Sequence, residues 1–99
     1  MSDVRDAAGS TRRAPFEPSG PAAAQSALAD IWRDLLGPAS FTAGDDFFHV
    51  GGTSVTAIRF LQRVEKRFGP DTLTPEQLYD DPRLGALAAA VWDAVRANS

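Results

Sequence analysis

The stretch Asp45-Asp46-Phe47-Phe48-His49-Val50-Gly51-Gly52-Thr53-Ser54-Val55 decides how this chain is read. It sets two aromatic residues, then two glycines, then two hydroxyl residues directly ahead of a helical pattern. Glycine admits positive φ and lets another backbone or a ligand come close. The start of a helix offers unpaired N–H groups and the positive end of a dipole. A phosphate ester on Ser54 therefore sits where an anion is favoured. Phe47 and Phe48 give the loop an apolar anchor on the rest of the molecule. The same residues also read as a plain loop with a cap, because Ser and Thr both cap helices well. The stretch lacks the Gly-Lys-Ser/Thr ending of a phosphate-binding P-loop. It also lacks the Gly-x-Ser-x-Gly frame of a nucleophile elbow.

Outward from this stretch the pattern is helical on both sides. Upstream, Leu28, Ile31, Trp32, Leu35 and Leu36 recur at three- and four-residue spacing from Ala22 on, and Gly37-Pro38 stops the run. Ala39 to Thr53 reads as a long loop with one short turn around Asp46 to His49; such loops are usually functional or disordered. Downstream, Ala57, Ile58, Leu61, Val64 and Phe68 form the expected apolar face of a second helix from Ser54 to Phe68, ended by Gly69-Pro70. Thr74-Pro75-Glu76-Gln77 is a capping box with proline at the first helical position, and it opens a short third helix. Asp81-Pro82 starts a last helix with Leu84, Leu87, Ala88, Val91 and Val95 on its apolar face and Trp92 at the edge. No alternating run supports a strand. The expectation is an all-α four-helix bundle with three longer helices, one short one and a long first loop. Each helix alone is too short to be stable in water, so the apolar faces must meet. Residues 1–21 read as a disordered tail or linker, and residues 22–97 as the folded domain.

Composition removes whole classes of function. A chain of 99 residues has room for one modest core and none for a large catalytic cleft. It has no cysteine and one histidine, so disulfides and the usual zinc or iron sites are not expected, and no metal residues are assigned. A formal net charge of -3 argues against a general nucleic-acid binder. No apolar run approaches the roughly 18 residues a membrane span needs. The N-terminus lacks the apolar core of a signal peptide, which leaves a cytoplasmic location by default.

The stretch 45–55 resembles the thiolation signature of peptidyl carrier proteins, the carrier domains of nonribosomal peptide synthetases, which reads Asp-x-Phe-Phe-x-Leu-Gly-Gly-x-Ser-Leu. Phe47, Phe48, Gly51, Gly52 and Ser54 match it, while Val50 and Val55 replace leucines. The resemblance continues through Ala57, Ile58, Arg59, Leu61, Val64, Phe68 and Gly69, through Leu78-Tyr79-Asp80-Asp81-Pro82, and upstream through Leu28-Ala29-Asp30-Ile31-Trp32 and Leu35-Leu36-Gly37. It implies the acyl-carrier type of four-helix bundle and a carrier rather than an enzyme, with no catalytic residue of its own. It implies 4'-phosphopantetheine attached covalently at Ser54 by a phosphopantetheinyl transferase that uses Mg²⁺ in its own site. The arm's thiol would hold aminoacyl, aryl or peptidyl groups as thioesters, loaded by an adenylation enzyme and handed to condensation, tailoring or thioesterase enzymes. Nonribosomal peptide, antibiotic or related secondary-metabolite biosynthesis is the implied setting, with a monomeric chain. Tethering of this kind raises the effective concentration of cargo at the next site.

The sequence leaves two other readings open. One is an acyl carrier protein of a polyketide or fatty-acid-like pathway. Such carriers typically have an acidic second helix and an Asp-Ser-Leu motif, whereas Arg59, Arg63, Lys66 and Arg67 here face a single Glu65. The other is a small helical interaction module without a prosthetic group. The basic helix directs attention to Val55, Ile58 and Arg59 as partner contacts. His49 could be paired with Ser54 as a hydrolase dyad, but no oxyanion hole is evident, and a solvent-facing loop histidine is the simpler account. Asp45 and Asp46 lack the alternating ligands of a calcium loop and read as caps. Trp32 and Trp92 read as core or core-edge residues. Met1 and the polar tail suit a discrete product, while Ala14-Pro15 through Pro21 also suits a linker after an adenylation domain.

Overall fold

The computed structural model describes residues 18–97. Four helices occupy most of them: α1 Pro21–Leu36, α2 Ser54–Phe68, α3 Pro75–Asp80 and α4 Leu84–Ala97. Among the described residues there is no strand, only an isolated antiparallel bridge between Asp46 and Arg83. This is the all-α, acyl-carrier type of bundle that the sequence predicts.

Local chemistry sets the helix ends. Pro21 is the first residue of α1, where its missing N–H costs nothing. Gly37 ends α1 at φ 109°, a conformation that favours glycine, and its N–H donates to the Arg33 carbonyl. Gly69 closes α2 in the same way, donating to the Glu65 carbonyl. The predicted capping box of α3 is present: Thr74 Oγ1 accepts from the Gln77 N–H at 3.2 Å and Gln77 Oε1 accepts from the Thr74 N–H at 2.9 Å. The Asp81 N–H donates to the Gln77 carbonyl and ends α3, so α4 begins at Leu84, beyond the Asp81-Pro82 start signal. Of the expected tail, residues 1–17 lie outside the described residues; Pro18 is buried, and α1 starts at Pro21.

The core lies between α1, α2 and α4. α1 packs most extensively on α4 and also on α2, while α3 rests on α4. Leu28, Ile31 and Trp32 of α1 meet Leu84, Leu87 and Val91 of α4 in one buried cluster. Full burial of each such aliphatic side chain contributes about 1.5–3 kcal/mol. Trp32 has no exposed surface, whereas Trp92 is half-buried at the edge beneath the Arg96 guanidinium, 5.8 Å from the ring centroid.

One face is corrected by the structure. The sequence pattern places Ile58 on the apolar face of the second helix, but it is 56% exposed. The buried line of α2 is Ala57, Phe60 and Val64, with Leu61 and Phe68 half-buried. Successive residues on a helix turn by about 100°. With Ala57 and Phe60 pointing inward, Ile58 swings out toward solvent.

Candidate functional site

The loop from Gly37 to Thr53 is held around residues 43–48 both by side chains and by backbone hydrogen bonds. Phe47 is fully buried, stacked on Phe60 with centroids 5.4 Å apart and set edge-on to Trp32 at the same distance. Asp46 Oδ1 accepts from the N–H groups of Phe48 at 2.8 Å and His49 at 3.2 Å, which folds residues 47–51 into turns. Asp45 Oδ2 accepts from the Thr42 N–H at 2.8 Å. Both aspartates therefore cap turns, as their sequence context suggests.

The backbone of the loop is fastened to the start of α4. The Phe47 N–H donates to the Pro82 carbonyl, the Leu84 N–H to the Asp45 carbonyl and the Gly85 N–H to the Ala43 carbonyl, at 2.9 to 3.0 Å. Gly85 allows this approach, since a Cβ there would lie 2.9 Å from that of Ala43. Phe48 turns the other way and stacks on Tyr79 of α3, ring planes 9° apart and centroids at 5.6 Å.

The two glycines have separate jobs. Gly51 stands at φ 114°, where a side chain is strained. Gly52 has ordinary φ, but a Cβ there would overlap the Phe47 ring and come within 2.6 Å of the Phe47 carbonyl oxygen. That carbonyl accepts the Gly52 N–H at 2.9 Å. The close approach that Gly52 permits is thus made by the loop's own phenylalanine.

The N-cap of α2 is Thr53, not Ser54. Thr53 Oγ1 accepts from the Thr56 N–H at 3.3 Å, and Thr56 Oγ1 accepts from the Thr53 N–H at 2.7 Å. Ser54 is the first helical residue and is exposed, and its hydroxyl has no hydrogen-bond partner among the described residues. The N–H groups of Ser54 and Val55 likewise have no acceptor there. Free amides and the positive helix end favour an anion at Ser54 Oγ. No acid lies in the first turn to compete, and Lys66 and Arg67 complement the dipole at the far end. A phosphodiester on Ser54 fits this position.

The remaining candidate residues are also placed. Val55 is 61% exposed, and Ile58 and Arg59 are exposed on the same helix. His49 is exposed on the loop and shares no hydrogen bond with Ser54. Among the described residues no cluster of acids or histidine could hold a metal ion, and no helix is long and apolar enough to cross a membrane. Phe60 and Tyr79 are the two rings that receive Phe47 and Phe48, a role that the sequence pattern does not assign to them. The pair of adjacent phenylalanines was the available signal, since two successive loop aromatics need two separate seats.

Comparison with known proteins agrees with this geometry. The family profile described as phosphopantetheine attachment site matches residues 26–91. The chain is 40% identical over 72 residues to the nonribosomal peptide synthetase asaC of Aspergillus flavus, covering 73% of this chain and 7% of that protein. It is 39% identical over 64 residues to the phosphinothricin tripeptide synthetase PhsC of Streptomyces viridochromogenes, covering 65% of this chain and 6% of that protein. It is 39% identical over 84 residues to the nonribosomal peptide synthetase otaB of Aspergillus carbonarius, covering 83% of this chain and 4% of that protein. The chain thus spans a small segment of each of these relatives. No solved structure matches it at a significant level. Residues 26–91 take in α2 with Ser54 at its start and the loop that positions it, and the chain belongs to the phosphopantetheine attachment-site family of carrier (thiolation) domains.

Proposed function

We propose that Ser54 is the attachment point of 4'-phosphopantetheine and that residues 22–97 act as a peptidyl carrier domain, with 1–21 as its tail or linker. The observation that supports this most is the exposed Ser54 hydroxyl at the first position of α2, which the Thr53–Thr56 pair relieves of capping duty. When bound, the arm supplies a terminal thiol that holds aminoacyl, aryl or peptidyl groups as thioesters. The chain itself presents Ser54 Oγ to a phosphopantetheinyl transferase, fixes it through Phe47 and the Gly51-Gly52 turn, and offers helix-end amides to the phosphodiester. It performs no catalysis, and bond making belongs to visiting enzymes.

In this reading the partners are an adenylation enzyme or domain and then condensation, tailoring or thioesterase enzymes of nonribosomal peptide or related biosynthesis. Val55, Ile58 and Arg59 are their contact residues, the chain acts as a monomer, and the setting is the cytoplasm, where coenzyme A is supplied. The test is intact mass after incubation with a promiscuous phosphopantetheinyl transferase and coenzyme A. The protein gains the mass of one arm and the Ser54→Ala variant gains none. Absence of any gain on the intact chain overturns the reading. Loading by adenylating enzymes in preference to acyltransferases then separates the peptidyl from the acyl carrier type.

A further inference from the structure

The basic run on α2 is only partly used by the carrier reading. Arg59, Arg63 and Lys66 lie three and four residues apart, so they share one face of the helix. With Gln62 and with Leu35 of α1 they line an open groove of about 360 Å³ between the two helices. Arg63 is fixed at its rim, since its Nη2 donates to Asp34 Oδ2 of α1 at 2.9 Å. Arg59 and Lys66 have no carboxylate partner among the described residues. The one acid of α2, Glu65, lies on the other side, where it lines a second cavity with Ile58, Leu73 and Asp71. The helix is therefore divided into a basic side and a side of apolar and acidic character, although the whole chain carries a net charge of -3.

This division defines what fits the groove. The half-buried Leu35 gives it an apolar floor. Arg59 and Lys66 stand at its ends, two turns or about 10 Å apart along the axis. A helix with an apolar stripe flanked by acids two turns apart satisfies both features at once. A nucleic acid would meet the acidic remainder of the chain and gain nothing from Leu35. Arg59 lies about 140° around the helix from Ser54, so an occupant stands beside Ser54 without covering it. We infer that the groove between α1 and α2 docks an acidic amphipathic helix of a partner protein. This deepens the carrier reading and rests on it, as the partner is one that works on the Ser54 arm. The charge complementarity would act mainly on the rate of encounter and on partner choice.

The test titrates the ¹⁵N-labelled full chain with a stapled helical peptide of about 18 residues, long enough for five turns, that carries a leucine stripe flanked by glutamates. Amide shifts are expected to cluster at Leu35, Arg59, Gln62, Arg63 and Lys66. The affinity should fall at least tenfold in the Arg59→Glu/Lys66→Glu double variant, whose fold is checked by circular dichroism, and should weaken as salt is raised. The same peptide with lysines for glutamates should leave those amides unmoved. Shifts confined to the Ile58–Leu73 side, no shifts at all, or equal binding by the double variant would overturn the inference. So would a short DNA duplex that saturates the groove at lower concentration than the peptide. Arm transfer to Ser54, read by mass on the same sample, reports on the carrier reading separately. A chain that takes the arm and ignores the peptide refutes the docking groove alone.

Discussion

Thr53 and Thr56 cap α2 for each other, each hydroxyl accepting the other's backbone N–H. Ser54 lies between them in sequence and takes no part, so its hydroxyl is left to solvent. Capping and modification are thereby assigned to different side chains. Thr53→Ala removes the cap at a cost of about 1 kcal/mol. Urea unfolding should show that loss, and Thr53→Ser should restore most of it. An unchanged midpoint in Thr53→Ala would argue that the cap is not made.

The Gly52–Phe47 contact leaves no room for a methyl group. Gly52→Ala must displace the Phe47 ring or the loop backbone, and overpacking of this kind costs about 1–3 kcal/mol. Because Phe47 anchors the loop that ends at Ser54, arm transfer should slow in the same variant. Full stability with full transfer rate would show that the loop yields freely.

Phe60 and Ile58 offer a direct comparison on one helix. Phe60 is fully buried between Phe47 and Trp32, so Phe60→Ala should cost about 3–5 kcal/mol. Ile58 is largely exposed, and Ile58→Ala should stay within about 0.5 kcal/mol. Thermal unfolding of the pair checks the rotation of α2, and the reverse ranking would contradict it.

Asp81 supplies a pH signature. Arg83 donates to its carboxylate through Nε at 2.9 Å and Nη2 at 2.7 Å. These hydrogen bonds lower the Asp81 pKa from 3.8 to about 2. The folded value lies below the unfolded one, so the contribution is complete above the ordinary carboxylate range and is lost as pH falls through the folded value. Both groups are solvent-exposed, which keeps the effect small. The gap in melting temperature between the native chain and Asp81→Asn should be open near neutral pH and narrow between about pH 4 and about pH 2. A gap that widens with acid would contradict the assignment.

Much of this molecule was legible because its helix boundaries are written in local chemistry. Gly37-Pro38, Gly69-Pro70 and Thr74 with Gln77 act within one turn, and each does what its residue types dictate. The placement of Ser54 at the start of α2 followed from the same kind of signal. What was not legible depends on which groups meet in the folded chain, one turn away or across the fold. Thr53 and Ser54 are both good caps, and only the position of Thr56 decides between them. Ile58 and Phe60 are both apolar, and Phe47, from a loop, selects which one turns inward. The backbone bonds that fasten residues 43–47 to residues 82–85 leave no mark on side-chain pattern at all. Trp32 was readable as core, yet its indole N–H is buried with no hydrogen-bond partner, which its sequence context does not announce.

The central claim is that Ser54, and no neighbouring hydroxyl, receives the arm. After transfer from coenzyme A, trypsin releases the peptide from Asp34 to Arg59, which also contains Ser40, Thr42, Thr53 and Thr56. Fragmentation of that peptide by tandem mass spectrometry localises the added mass. The added mass is expected on Ser54 alone. An arm found on Thr53, on Thr56 or on Ser40, or an unmodified peptide from fully treated protein, would contradict it.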